Sequence, residues 1–158
     1  MRFRWGGRAA AAGLPVDPAA AVLLRLMAVW EVAARAVELQ DRADEVITAC
    51  SLPGETPGAV ARRGRVVAGE YGRMSGWADD LADGAAADSM PGRVAGLVRY
   101  HLAMVDLGLK LAFPRYRTEN SERLRMGLSG LGEPAGALRE IEVALRRRIE
   151  KLNGPFGA

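Results

Sequence analysis

Apolar residues recur every three or four positions along most of the chain, and nowhere do β-branched and aromatic residues alternate with polar ones at a period of two. This pattern predicts helices and no strands. The densest apolar run is Pro91 to Phe113. At the helical period, Val94, Leu97, Val98, Met104, Val105, Leu111 and Ala112 share one broad face, which Leu102, Leu109 and Phe113 widen. Arg99, Asp106 and Lys110 are left for a narrow wet stripe. A helix apolar nearly all round lies among other helices or in a membrane. The charges in this run and His101 argue against hydrocarbon, so it is expected at the centre of a bundle. Leu97, Met104 and Leu111 are then expected to be almost fully buried.

The remaining helices follow from caps and stops. Asp17 is a good cap and Pro18 suits the first helical position, so a first helix is expected from there to about Cys50, where Pro53-Gly54 stops it. Its inner stripe reads Val29, Val32, Ala36, Leu39, Ala43, Val46 and Cys50, opposite Glu31, Arg35, Glu38, Arg42 and Glu45. A second helix follows Pro57 and runs to about Ala82, with Val60, Val67, Tyr71, Met74, Ala78 and Leu81 inward. Beside that stripe lie Gly64, Ala68, Gly72 and Gly76, a spacing that lets another backbone approach closely. Pro114 stops the central helix, and Thr118 to Ser121 can cap a short one over 119–131. A last helix from Pro134 or Ala135 to Asn153 buries Leu138, Ile141, Leu145, Ile149 and Leu152. The expected fold is all-α: an antiparallel up-down bundle of four main helices with a short extra helix. Residues 14–158 read as one domain. Residues 1–13, MRFRWGGRAAAAG, read as a disordered basic arm, because the alanine stretch is too short and weak for a signal-peptide core.

Composition changes this picture little. A chain of 158 residues that is 49% hydrophobic and 26% charged is an ordinary globular domain with a core of its own. Twenty of its 22 basic residues are Arg, which together with abundant Ala and Gly reflects a GC-rich genome rather than a functional choice. Charge is unevenly placed: residues 14–88 carry 7 basic and 12 acidic side chains, and residues 89–158 carry 12 basic and 7 acidic. Acidic early helices beside basic late ones explain that bias, and a basic face for an acidic partner is the alternative. The single Cys50 admits no intramolecular disulfide, so a cytoplasmic location is expected, and because no run approaches the roughly 20 apolar residues that a span needs, no membrane span is expected.

The chemistry-bearing residues are few. One His and one Cys leave no metal spacing, and the residue three before His101 is Val98, so a di-iron Glu-x-x-His pair is missing. No phosphate-binding glycine loop or nucleophile elbow occurs, and no metal or cofactor is expected. His101 lies within the apolar face of the central helix. In architecture this resembles histidine phosphotransfer domains, helical bundles with a phosphoacceptor His, which would make His101 the acceptor. That family follows its His with an x-x-Lys-Gly pattern, where Met104 and Val105 stand here. Helical ribonucleases of the HEPN type have four to six residues between an Arg and a His, whereas seven lie between Arg93 and His101 and one between Arg99 and His101. Arg62, Arg63, Arg65, Arg146, Arg147 and Arg148 could meet phosphates, but acids are interleaved along most helices and nucleic acid is the weaker expectation. The expected function is a non-enzymatic interaction or accessory protein acting through protein–protein contacts, with itself as one partner. The first two helices carry more apolar surface than a four-helix monomer covers, which nominates Leu23, Met27, Trp30, Gly72 and Gly76 for a homodimer contact.

Overall fold

Three of the six helices begin where a side chain supplies a cap. The Asp17 carboxylate accepts from the amide of Ala19 at 3.1 Å and Pro18 takes the first helical position, which opens α1 (Pro18–Glu38). Ser89 caps α4 (Met90–Ala112) in the same way, through the amide of Gly92 at 3.3 Å. Thr118 and Ser121 exchange side-chain bonds with each other's amides at the start of α5 (Glu119–Met126). The other helices are α2 (Gln40–Ser51), α3 (Gly58–Ala82) and α6 (Glu133–Asn153). The structure is a computed structural model that describes residues 17–154, so the expected arm at 1–13 lies outside the described residues. Among the described residues the fold is all-α, without strands.

Two boundaries differ from expectation. The helix expected from Asp17 to Cys50 is interrupted at Leu39, giving α1 and α2. The interruption is a kink rather than a turn, because the amide of Leu39 still reaches the Arg35 carbonyl and that of Ala43 the Leu39 carbonyl, at 3.2 and 3.0 Å. No proline or glycine lies there. The kink coincides with the burial of Gln40, whose amide group reaches across to α4 and α6. The short helix ends at Met126 instead of near Leu131. Gly130 and Gly132, at φ +81° and +64°, turn the chain into α6. The Asp44 carboxylate pins that turn to α2 by accepting from the amide of Leu131 at 2.7 Å. A side chain at Gly130 would place its Cβ 2.6 Å from Asp44 Oδ1, so both its φ and its close contact call for glycine.

The central helix is central. α4 packs on α1, α2, α3, α5 and α6, and α1, α3, α4 and α6 close a ring around the core. Contacts run in opposite senses along three pairs: Arg25 with Leu81 and Arg42 with Glu70 between α1–α2 and α3; Gly64 with Leu109 and Asp79 with Arg99 between α3 and α4; Trp30 with Glu142 and Gln40 with Ala135 between α1–α2 and α6. The inner face of α4 is Val94, Ala95, Val98, His101, Val105, Gly108 and Ala112. Leu97, Met104 and Leu111, expected to be almost fully buried, are half-buried. Tyr100, Leu107 and Phe113 are exposed on the remaining side. Small residues lie on the buried side instead: Ala95 and Gly108 are both buried, and at Gly108 the Cys50 side chain and the Ile47 backbone of α2 stand 3.7–3.8 Å from where a Cβ would be.

Candidate protein-interaction surface

The residue with the sharpest chemistry is sealed. His101 is 0% exposed. Its Nδ1 lies 2.6 Å from the Leu97 carbonyl, which can only accept, so Nδ1 carries the proton and donates. Nε2 is then the acceptor and takes a hydrogen from Gln40 Nε2 at 3.1 Å, while the same amide nitrogen donates to the Ala135 carbonyl at 3.0 Å. Gln40 thus joins α2, α4 and α6 through one amide. The Tyr71 ring from α3 lies 5.6 Å from the imidazole, and its hydroxyl donates to the Ala36 carbonyl at 3.1 Å. Burial lowers the His101 pKa against the raising effects of the Leu97 carbonyl and Asp44, with Arg139 lowering it further. Burial, then Asp44 and Glu70, push the Tyr71 hydroxyl up. The imidazole is therefore neutral, with its lone pair occupied and no surface open to a phosphoryl donor. This arrangement serves the helix junction and offers nothing to a phosphoacceptor role. Cys50 is also buried, and its thiol pKa is raised by burial, with the charge of Arg125 opposing.

A second interior group was invisible in the sequence. Arg125 of α5 is 1% exposed, and every guanidinium N–H has an acceptor. Nε donates to Glu122 at 3.2 Å, Nη1 to the carbonyls of Cys50 and Leu52 at 2.9 and 2.6 Å, and Nη2 to the Gly54 carbonyl and Glu122 at 3.2 and 2.6 Å. Five donors in a fixed fork find five acceptors, so the buried charge is compensated. The carbonyls left over at the end of α2 are thereby capped by a side chain more than 70 positions away. The Arg125 hydrogen bond and the charges of Arg125 and Arg117 hold the Glu122 carboxyl below its usual pKa. Nothing in the stretch around Arg125 distinguishes it from the exposed arginines nearby.

Trp77 of α3 stands 46% exposed between two concavities of the α1–α3 side. On one side of it a groove of about 440 Å³ runs between α3 and the kink, lined by Arg35, Glu38 and Arg42 opposite Glu70, Arg73 and Trp77. Arg35 sits 5.9 Å over the indole and pairs with Glu31 at 2.7 Å, and Arg42 pairs with Glu70 at 3.2 Å. On the other side of Trp77 lies a mostly apolar hollow of about 380 Å³ formed by Ala28, Val32 and Leu81 with Glu31 and Asp80 at its edge. Arg25 fixes that end by donating to the Leu81 carbonyl at 2.9 Å.

The five residues nominated for an interface do not form one patch. Trp30 is half-buried, leans toward α6 and donates from its indole N–H to Glu142 at 2.8 Å. Leu23 is half-buried and Met27 is exposed near it. Gly72 and Gly76 lie on α3, which flanks α1 on the side away from α6. Both face solvent, and a Cβ added at either would meet nothing within 4 Å. The arginine clusters are likewise apart. Arg63 stands beside Val46 and Thr48 near the end of α2, whereas Arg146, Arg147 and Arg148 follow Glu142 toward the other end of the bundle. The run of α3 from Arg62 to Leu81, about 28 Å of helix, separates the two ends. No single basic face results.

Among the described residues, no group of three His, Cys, Asp or Glu side chains could hold a metal ion, and no helix is long and apolar enough to cross a membrane. No protein-family model, curated protein or solved structure matches the chain.

Proposed function

We propose that this protein is a non-enzymatic interaction module, a helical bundle that works through protein–protein contacts on its α1–α3 side. The observation that carries the reading is Trp77, a large aromatic left 46% exposed between a groove with paired charges and an apolar hollow. Aromatic and arginine side chains around such a hollow are the residue types that dominate protein interfaces. The groups best suited to chemistry, His101, Tyr71 and Cys50, are all committed to the interior. The test is a photo-activatable side chain placed at position 77 in the native cell. Discrete adducts with a protein, whether another chain or a second copy of this one, support the reading. No adduct from position 77, with adducts from a control position on α6, sinks it.

A further inference from the structure

We propose that this protein pairs with a second copy of itself through the outward face of α3, the two α3 helices running antiparallel about a two-fold axis beside Gly72. The proposal rests on the interaction-module function and names the partner.

Charge along that face is segregated. Arg62, Arg65, Gly69, Gly72, Gly76, Asp80 and Asp83 follow one another at steps of three or four and are all exposed or nearly so. Basic residues occupy the beginning of the ridge, glycines the middle and acids the end. Among the described residues, Arg62, Arg65, Asp80 and Asp83 make no ion pair, whereas Asp79, just off the ridge, is held by Arg99 at 3.3 Å. A surface with plus at one end and minus at the other is complementary to itself when a copy is reversed. An axis beside Gly72 sets Arg62 against Asp83 of the second copy, Arg65 against Asp80, and Gly69 against Gly76.

The middle of the face lets the helices meet. Gly69, Gly72 and Gly76 have nothing within 4 Å of a would-be Cβ, so bare backbone is presented where the two ridges cross. Exposed apolar side chains flank it on one side: Val66 at 53% and Trp77 at 46%. Val66 stands about 10 Å before the axis and Trp77 about 7 Å after it, so reversal brings Val66 of each copy to within about 3 Å, along the helix, of Trp77 of the other. That contact covers surface the monomer leaves open and seats the second copy at the rim of the Trp77 groove. Arg73 of the two copies approach each other beside the axis, the unfavourable pairing of this register. The contact strip, roughly 32 Å of one helix face, is below the footprint of a standard stable interface, so the dimer is weak, reversible and salt-sensitive.

The experiment is sedimentation of the full chain over rising concentration, in low and in high salt. Wild type is expected to shift from 16.9 kDa toward twice that mass at low salt and to return toward monomer at high salt. The double variant Gly72→Gln/Gly76→Gln is expected to lose the dimer while melting no lower than wild type, since both side chains point into open space and glycine is the weaker helix former. Arg62→Asp/Arg65→Asp and Asp80→Arg/Asp83→Arg are each expected to lose the dimer alone, and an equimolar mixture of the two to regain it as a heterodimer. Arg73→Ala is expected to tighten it. A wild type that stays monomeric to high micromolar concentration in low salt overturns the proposal. So does a dimer indifferent to the glutamines or to the charge reversals. If position 77 then yields adducts with a different protein only, the interaction reading stands and the self-pairing falls. If neither association is found, both fall.

Discussion

The two faces of α3 carry the same residue type under opposite conditions. Gly64 faces inward, where an added Cβ would lie 2.5 Å from Leu109 Cδ2, so α4 has closed onto the bare backbone. Gly72 and Gly76, further along the same stripe, face outward and meet nothing. In the sequence the stripe Gly64, Ala68, Gly72, Gly76 looks like one seam. In the fold it drifts around the helix, because steps of four overshoot a full turn and each member sits a little further round than the last. One end of the stripe therefore belongs to the α3–α4 contact and the other end to the surface. A small-residue stripe marks where a backbone can be approached, and only its neighbours decide whether it has been.

The contrast is open to attack from the inside first. Tyr71 is fully buried on the inner face, against His101 and the Ala36 carbonyl, so Tyr71→Ala is expected to cost roughly 3–5 kcal/mol in a urea melt. A loss under about 1 kcal/mol would mean that this face is loosely packed. The matched alanine substitutions come next. Gly64→Ala is expected to destabilise by about 1–2 kcal/mol, because displacing Leu109 outweighs the gain in helix propensity. Gly76→Ala is expected to stabilise the monomer by up to about 1 kcal/mol, since the propensity gain meets no clash. Equal signs for the two alanines would erase the distinction between the faces.

The smallest effect sharpens the interior side through pH. The folded-state pKa of His101 is lowered, so the unfolded chain takes up this proton first as pH falls. Stability is then full above the unfolded value of about 6.5 and declines below it. His101→Gln should flatten the fall of the urea midpoint as pH drops below about 6.5. Glu122, whose pKa is also lowered, contributes stability that is present above the unfolded carboxylate value and lost as pH falls below it, so its loss begins at a lower pH than that of His101. An unchanged slope in His101→Gln would show that the imidazole is not held neutral.

Much of the fold was legible because it is local. The caps at Asp17 and Thr118, the stops at Pro53-Gly54 and Pro114, the inner stripe of α3 and that of α6 as far as Leu145 appear where periodicity and turn chemistry set them, whereas Ile149 is half-buried and Leu152, expected inside, is exposed. Helix α4 was recognisable as the centre from its apolar breadth, although that breadth misled about depth: Leu97, Met104 and Leu111 stop half-buried. Periodicity reports how much of a helix can be buried, while the neighbouring helices, α2 against Gly108 among them, select which side is.

The tertiary structure alone decided the rest, because each remaining feature depends on groups far apart in the chain. The kink at Leu39 accompanies an amide that bonds to residues 61 and 95 positions on. Arg125 looks like any surface arginine until the carbonyls of Cys50, Leu52 and Gly54 are brought to it. No local pattern separates Trp30 from Trp77, yet packing sent one toward α6 and left the other at the surface. By itself the sequence determined an all-helical chain, the limits of α3, α4 and α6 and the starts of α1 and α5, since those follow from interactions within a few turns. Which faces meet, which polar groups are satisfied inside and which glycines stay bare follow from long-range packing, and nothing within a few turns of chain encodes them.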